Sequence, residues 1–221
     1  METTPASQRE QLQAAIQRFQ SGDRSGGLAA CRSLAEANPA DGEGHYALAL
    51  MLLQSGDLTG GVAELDRLLS TGPQRADALA SRGAARLRLG QLEGAASDLD
   101  DALRLNPELA DAWLALATLH RRSQDWDACI RILRDAAQAM PGHAGIHSNL
   151  AALLAEHGDA AEAVSLLEPA LAQAPAHQAL RYNMGTAMHR VGRFEEARDH
   201  LQRAVDLAPD FGPAWHNLGN T

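Results

Sequence analysis

The sequence contains no lysine, only eight aromatic residues and only two cysteines among its 221 residues. An all-β sandwich needs many more aromatic and β-branched residues, so the composition argues against that class. Cys31 and Cys129 lie far apart and form no CxxC motif, which argues against a disulfide scaffold or a zinc knuckle and favours a reducing compartment. No apolar leader and no run of about 18 apolar residues is present, so we expect a cytoplasmic protein that does not enter the membrane.

The charge balance is acidic. All 19 basic residues are arginines, against 28 acidic residues, and the net charge is −9. This is the wrong sign for a protein whose surface serves nucleic acid, and we expect no nucleic-acid partner. The 44 alanines and 33 leucines are strong helix formers, which predicts an all-α protein.

The prolines have a fixed period. Six of the nine recur every 34 residues, at Pro39, Pro73, Pro107, Pro141, Pro175 and Pro209. A period of this length is typical of a repeat solenoid. It predicts a disordered tail at residues 1–7, followed by six repeats at residues 8–41, 42–75, 76–109, 110–143, 144–177 and 178–211. Residues 212–221 are interpreted as the truncated start of a seventh repeat.

Each repeat carries two apolar stretches with helical spacing, separated by a short break. The break is Ser21-Gly22-Asp23 in the first repeat, Ser55-Gly56-Asp57 in the second and His157-Gly158-Asp159 in the fifth. The glycine is expected to close the first helix in a left-handed conformation, and the aspartate to cap the second helix. Gln124 takes the place of this glycine in the fourth repeat.

Small residues recur at the eighth and twentieth positions of every repeat. The pairs are Ala15 with Gly27, Ala49 with Gly61, Gly83 with Ala95, Ala117 with Cys129, Ala151 with Ala163, and Gly185 with Ala197. They predict a close crossing of the two helices, which a larger side chain would overpack. Arg82 and Arg86 depart from the pattern, since they stand where the third repeat should be apolar.

Further positions carry a family resemblance. Tryptophan or leucine recurs at the fourth and seventh positions of several repeats, as Trp113, Trp215, Leu48, Leu116, Leu150 and Leu218. Together with the 34-residue period, the small pairs and the closing proline, these residues resemble the tetratricopeptide repeat family, bacterial type, from Gln8 onward. The resemblance implies an α-solenoid of tandem helix-turn-helix repeats wound into a right-handed superhelix. In that family the first helix of each repeat lines a concave groove.

Asparagine occupies the sixth position of three successive repeats, as Asn149, Asn183 and Asn217. A side-chain amide matches the C=O and N–H groups of an extended peptide backbone. The row resembles the asparagine ladder by which arrays of the O-linked N-acetylglucosamine transferase type hold peptides. The open alternative is that asparagine occurs at this position for local reasons. Four further residues lie at positions expected to face the groove: Tyr46, Leu114, Tyr182 and His189.

Arginine forms a second row. Arg88, Arg122 and Arg190 share the thirteenth position, and Arg121 is adjacent. Guanidinium groups recognise carboxylates and phosphates bidentately, which favours an acidic or phosphorylated peptide as ligand. The alternative is that a cation near the end of the first helix simply complements the helix dipole.

No catalytic motif is present, and we predict no catalytic residues, no metal and no cofactor for this segment. His143 and His147 are four residues apart, but we interpret them as packing or surface residues. The predicted function is therefore a protein interaction scaffold that binds an extended peptide or partner protein in its groove.

Two alternatives stay open. The array would be the amino-terminal, substrate-recruiting region of a larger glycosyltransferase, sulfotransferase or 2-oxoglutarate oxygenase, whose catalytic domain lies beyond Thr221. Otherwise it would be a structural module that forms homo-oligomers through its C-terminal end, where Trp215 and Leu218 are expected to have incomplete cover.

Overall fold

The computed structural model describes residues 5–157 and 159–221, with side chains from residue 8 onward. Helices are the regular structure in these ranges: α1 (Pro5–Gln20), α2 (Arg24–Ala37), α3 (Gly42–Gln54), α4 (Leu58–Thr71), α5 (Ala76–Arg88), α6 (Leu92–Leu105), α7 (Ala110–Arg122), α8 (Trp126–Ala139), α9 (Ala144–His157), α10 (Ala160–Gln173), α11 (Gln178–Arg190), α12 (Phe194–Leu207) and α13 (Gly212–Gly219). Of the tail predicted at residues 1–7, residues 1–4 lie outside the described residues and residues 5–7 belong to α1. Gly158 also lies outside them.

The chain divides into two compact units, Met1–Ala115 and Leu116–Thr221. Within the first unit the main helix pairs are α1 with α2, α3 with α4 and α5 with α6. Within the second unit, α9 pairs with α10 and α11 with α12, and α10 also packs on α11. Within each unit, consecutive pairs also pack on one another, as α2 does on α3 and α10 on α11, which is expected when stability is a sum over neighbouring repeats. This arrangement confirms the predicted α-solenoid of helix pairs.

Wherever the structure describes the turn residue, the turn within the repeat has the predicted left-handed geometry. Gly22, Gly56, Gly90 and Gly192 have φ angles of 107°, 89°, 78° and 81°. Gln124 adopts φ of 56° at the same point of the fourth repeat, although it carries a Cβ atom. The turn is thus imposed by the repeat and not by glycine alone.

Aspartates cap the second helices of four repeats. The carboxylates of Asp23, Asp57, Asp125 and Asp159 accept backbone N–H bonds of 2.8–3.2 Å from the first turns of α2, α4, α8 and α10. These bonds satisfy N–H groups that have no partner inside the helix. The capping prediction is confirmed for all three turns in which the sequence places aspartate after glycine.

The close crossing within each helix pair is steric. A Cβ atom added to Gly83 would lie 2.8 Å from Leu99 Cγ and 3.2 Å from the Ala95 carbonyl oxygen. At Gly185 the corresponding distance to Leu201 Cγ is 2.6 Å. Real side chains do not approach so closely, so these positions require glycine as long as the helices keep their spacing.

The apolar cores are built between consecutive pairs. In the first unit, Cys31 and Ala35 pack with Leu48 and Leu52, which joins α2 to α3. In the second unit a smaller cluster of Ala204, Val205 and Ala214 joins α12 to α13. Two arginines of α5 depart from this pattern, because Arg82 and Arg86 direct their guanidinium groups at Asp98, which is 2% exposed. Across the described ranges, no helix combines the length and the apolar character that crossing a membrane requires.

Candidate functional site

A concavity in the second unit is formed by the ends of α9, α11 and α13, and we call it the α11–α13 pocket. Its volume is about 460 Å³, and it is lined by Glu156, Tyr182, Thr186, His189, Arg190, Asn217 and Asn220. The four α11 residues follow one another at intervals of four, three and one, so they share one face of the helix. Four predicted site residues therefore lie together here: Tyr182, His189, Arg190 and Asn217.

Hydrogen bonds fix the polar groups of the α11–α13 pocket. Asn217 Nδ2 donates to Tyr182 Oη at 3.2 Å and to Thr186 Oγ1 at 3.1 Å. His189 Nε2 donates to the backbone oxygen of Asn220 at 3.2 Å. Both hydrogens of the Asn217 amide are therefore used inside the protein, and its Oδ1 atom is left as an acceptor. The hydroxyl of Tyr182, which accepts from Asn217, keeps its own proton for donation.

Aromatic contacts hold the two rings of the pocket in place. Tyr182 packs edge-on against Phe211 with 5.0 Å between ring centroids, and His189 packs in the same way against Phe194 at 5.2 Å. Edge-to-face packing is the favoured geometry for such pairs. The pocket wall is therefore ordered before any ligand arrives.

The three predicted asparagines have three different environments. Asn149 is exposed on α9. Asn183 is 8% exposed, and its Nδ2 atom donates to the backbone oxygen and to the Oγ atom of Ser148, both at 2.8 Å. Of the three, Asn217 lines the α11–α13 pocket. Asn183 thus joins α9 to α11, whereas Asn149 and Asn217 present polar atoms to solvent.

A second concavity lies in the first unit, between α1 and α3. It has a volume of about 230 Å³, and its lining is mainly apolar, with Leu12, Ile16, Phe19, Leu50 and Met51 beside Tyr46. The Arg75 guanidinium lies over the Tyr46 ring, 4.6 Å from its centroid. Burial raises the pKa of the Tyr46 hydroxyl, which therefore stays protonated at neutral pH.

The remaining predicted residues line neither concavity. Leu114 is half-buried in α7. Arg88 ends α5, and Arg121 and Arg122 end α7, and all three are exposed. Their positions fit both an acidic ligand and the favourable placement of a cation at the end of a helix.

The cysteines and the histidine pair are built into the packing. Cys31 and Cys129 are free and buried, and burial raises the pKa of the Cys31 thiol to about 11 and also raises that of Cys129. His143 Nδ1 accepts a bond from the Ile146 backbone N–H at 3.2 Å, and the buried His147 contacts the His143 carbonyl oxygen. Within the described residues, no group of three His, Cys, Asp or Glu side chains is placed to hold a metal ion.

Sequence reasoning missed Glu156, Thr186 and Asn220 in the pocket. Thr186 was detectable, since it lies four residues after Tyr182 and four before Arg190 on one helical face. Asn220 follows the last helix, and no periodic signal points to it.

Family models described as tetratricopeptide repeat match residues 12–78, 86–154 and 154–219. No curated protein matches the chain.

Several solved structures are similar. YrrB, described as a TPR protein with an unusual peptide-binding site, is 23% identical with a TM-score of 0.64, over 84% of this chain and 96% of that chain. PilF of Pseudomonas aeruginosa is 15% identical with a TM-score of 0.74, over 97% and 99% of the two chains. MamA is 18% identical with a TM-score of 0.62, over 75% and 90%. These likenesses show the fold, and the family models cover most of the sequence. The chain belongs to the tetratricopeptide repeat family and is a protein–protein interaction scaffold.

Proposed function

We propose that the α11–α13 pocket binds an extended segment of a partner protein. The observation that carries the proposal is the convergence of four groups predicted from the sequence, Tyr182, His189, Arg190 and Asn217, around one concavity of about 460 Å³. A pocket of this size accommodates one or two side chains of a peptide. The peptide-binding site named for YrrB, which shares the fold, supports a ligand of the same kind.

The polar groups left over by the internal hydrogen bonds match a peptide backbone. Asn217 Oδ1 is an acceptor for a backbone N–H, and the Tyr182 hydroxyl is a donor for a backbone C=O. The two groups are hydrogen-bonded to each other, so they lie close enough to serve one residue of an extended strand. Because both are ordered in advance, little conformational entropy is lost when the ligand binds.

Charge favours an acidic side chain in the ligand. Arg190 is exposed at the rim and forms no ion pair with another described residue, so its guanidinium group is available to a carboxylate. Glu156, on the same rim, disfavours a second acidic residue beside it. We therefore expect one carboxylate near Arg190 and not an extended acidic tract.

Two neutral hydrogen bonds contribute about 1–3 kcal/mol, whereas micromolar affinity needs about 8 kcal/mol. Apolar contact with the rings of Tyr182 and His189 must therefore provide much of the affinity. This requirement predicts a ligand with an apolar side chain next to its acidic residue.

The test is selection of a random peptide library on the folded chain, followed by fluorescence anisotropy with the selected peptide. We expect Asn217→Ala and Tyr182→Phe each to weaken binding about 2- to 10-fold. Unchanged affinity in both variants, with unchanged circular dichroism, would reject the pocket as the peptide site.

The charge on the rim has a matched control. Arg190→Glu should weaken binding of the selected peptide more than Arg198→Glu, since Arg198 is exposed on α12 and does not line the pocket. An equal loss in the two variants would show that net charge and not the pocket governs binding.

The predicted asparagine row is tested separately. Asn149 is exposed on the first helix of the preceding repeat and would continue the backbone contacts along α9. Under this proposal Asn149→Ala weakens the binding of a long peptide but leaves the binding of a short one unchanged. Equal affinities for the long peptide would restrict the site to the α11–α13 pocket.

Self-association is a second candidate, favoured by large apolar side chains exposed in the second unit. Phe194, Leu207 and Trp215 are 46%, 45% and 51% exposed. Light scattering of the chain and of Trp215→Gln tests this role. A dimer mass that falls to the monomer mass in the variant would support it, and a monomer mass in both would remove it.

A further inference from the structure

One pair of repeat positions is complementary in the second repeat and mismatched in the sixth. In the second repeat the buried His45 Nδ1 lies 2.7 Å from a carboxylate oxygen of Glu64. In the sixth repeat the equivalent residues are Arg181 and His200, which are also 19 residues apart in the sequence. Arg181 Nη1 lies 3.3 Å from His200 Nδ1. In the second repeat, histidine is therefore paired with a carboxylate. In the sixth repeat, the arginine at the same position is paired with a histidine and has no carboxylate opposite it.

Arg181 is held in place by the backbone. Its Nε atom donates to the Pro175 carbonyl oxygen at 2.9 Å. The indole nitrogen of Trp215 makes the same bond to Pro209 at 2.8 Å, and Trp113 does so in the fourth repeat. Arg181 therefore replaces tryptophan at this position and keeps its hydrogen bond, but it adds a positive charge.

A second arginine borders the same concavity as this charge. Arg203, on α12, is close enough to lower the pKa of the Arg181 guanidinium further after burial has lowered it. Within the described part of the chain, neither arginine forms an ion pair with an acid. The protein as a whole has a net charge of −9, so two neighbouring arginines without ion-pair partners form a local positive patch on an acidic protein.

The two arginines border a concavity of about 260 Å³, which we call the Arg181–Arg203 pocket. Its lining is Pro175, Ala176, Arg181, Arg203, Asp206 and Leu207, and it shares no residue with the α11–α13 pocket. Asp206 is the one acid in this lining, and its Oδ1 atom accepts a bond from Gln202 Nε2 at 2.9 Å.

We propose that the Arg181–Arg203 pocket binds a phosphate group. Two guanidinium groups from different helices offer several N–H donors to one small anion, and the planar fork of arginine suits phosphate oxygens. In the second repeat, His45 contacts the carboxylate of Glu64 in the same chain. In the sixth repeat, the ligand would supply the anion for Arg181, the residue equivalent to His45. A doubly charged phosphate fits two arginines better than a single carboxylate does.

His200 reports on the occupancy of this site. A guanidinium group can only donate, so His200 Nδ1 accepts from Arg181 and the imidazole is neutral. Burial, Arg181 and Arg203 lower the pKa of His200, while Asp199 and Glu196 on α12 act in the opposite direction. A bound anion offsets the two arginines, so it raises the pKa of His200, and binding takes up protons.

The experiment follows the imidazole resonance of His200 by NMR while inorganic phosphate is added at constant ionic strength. We expect a saturable shift and an upward change in the pKa of His200. Sulfate, which stays doubly charged throughout, should bind more tightly as the pH falls. No shift with either anion would overturn the proposal, and an equal response to acetate would overturn the assignment to a phosphate group.

Substitutions distinguish the pocket from general anion attraction. Arg203→Gln should weaken phosphate binding about tenfold, because it removes a charge-assisted contact and leaves the Arg181 backbone bond intact. Arg198→Gln removes the same charge from an exposed position on the same helix and should leave binding unchanged. Equal affinities in the two variants would overturn the site.

A third experiment distinguishes a phosphorylated side chain from free phosphate as the natural ligand. Acetylated phosphoserine amide is compared with inorganic phosphate on the unchanged chain. Tighter binding of the phosphoserine compound assigns the pocket to a phosphorylated side chain, and tighter binding of inorganic phosphate assigns it to the free ion. Failure of both overturns the proposal and leaves peptide binding in the α11–α13 pocket untouched, since the two pockets share no residue.

Discussion

Arg82 binds Asp98 through two parallel hydrogen bonds, Nε to Oδ2 at 2.9 Å and Nη2 to Oδ1 at 2.6 Å. Arg86 Nη1 adds a third bond to Asp98 Oδ2 at 2.8 Å. Both arginines also reach Asp66 Oδ1, at 2.7 and 3.1 Å. Three helices, α4, α5 and α6, are thus joined by four charges that compensate one another. Such a network is expensive to break because each remaining charge then lies partly buried without its partner.

We expect Asp98→Asn to lower the free energy of unfolding by about 2–4 kcal/mol, since it removes the buried counter-charge of two arginines. Urea denaturation followed by circular dichroism measures the change. Asp101→Asn is the matched control on the same helix, because Asp101 pairs with Arg104 at the surface. That pair should contribute no more than about 1 kcal/mol. Equal losses in the two variants would contradict the network.

Gly83 and Gly94 lie in paired helices but differ in the space around them. A Cβ atom at Gly83 would meet Leu99 at 2.8 Å, whereas one at Gly94 would first meet the flexible Arg86 side chain at 3.4 Å. We expect Gly83→Leu to cost about 1–3 kcal/mol by overpacking the crossing. Gly94→Ala should instead stabilise by about 0.5 kcal/mol, because alanine favours the helix.

Thermal melting of these two variants beside the wild type checks the prediction. An unchanged melting temperature for Gly83→Leu would contradict the close crossing. If Gly94→Ala lowered the melting temperature as much as Gly83→Leu, the loss of stability would come from replacing glycine in the helix and not from the limited space beside Gly83.

The fold was predictable because its signals are local and repeated. The periodic prolines, the turn glycines and the small pairs each act within one repeat of 34 residues, so the sequence alone specified the helix pairs and their crossing. Gln124 shows how strong this repetition is, since the turn kept its left-handed form without glycine.

The environment of the candidate sites was less predictable, because it depends on neighbouring repeats. Asn183 and Asn217 share a repeat position, yet one meets Ser148 and the other meets Tyr182. The repeat position determines the direction of a side chain, and the preceding repeat determines what it contacts. Arg82 departs from the apolar pattern because its charge is compensated by two acids that no helical spacing connects to it. Asp98 lies 16 residues away on the second helix of the same repeat, and Asp66 lies in the preceding repeat.

Gln124 carries a conformational cost that glycine would avoid. Its φ of 56° disfavours a residue with a Cβ atom by about 1–2 kcal/mol. Glycine would avoid this cost, but its greater conformational entropy in the unfolded chain would cancel part of the gain in stability. We expect Gln124→Gly to stabilise the protein by about 0.5–1 kcal/mol. Urea denaturation measures this gain.

Gln124→Ala keeps the Cβ atom and serves as the control. It should leave the stability close to that of the wild type, because alanine in the left-handed region meets the same hindrance. Stabilisation by alanine as large as by glycine would show that the glutamine side chain and not the backbone angle carries the cost.

His200 should make stability depend on pH. Burial and the adjacent Arg181 and Arg203 lower the pKa of His200 in the folded protein, so on acidification the unfolded chain binds a proton first. The free energy of unfolding is therefore not reduced by His200 above about pH 6.5, the ordinary pKa of histidine. Below that pH it falls, because the unfolded chain gains the proton more readily than the folded protein does.

The measurement is the melting temperature across that range in phosphate-free buffer, for the wild type and His200→Gln. Glutamine keeps an acceptor for Arg181 but does not titrate, so the variant should lose less stability on acidification. Arg203→Gln should also flatten the dependence, because it removes one of the two charges that oppose protonation of His200. Parallel curves for all three proteins would show that other groups govern the acid response and that the arginines do not act on His200.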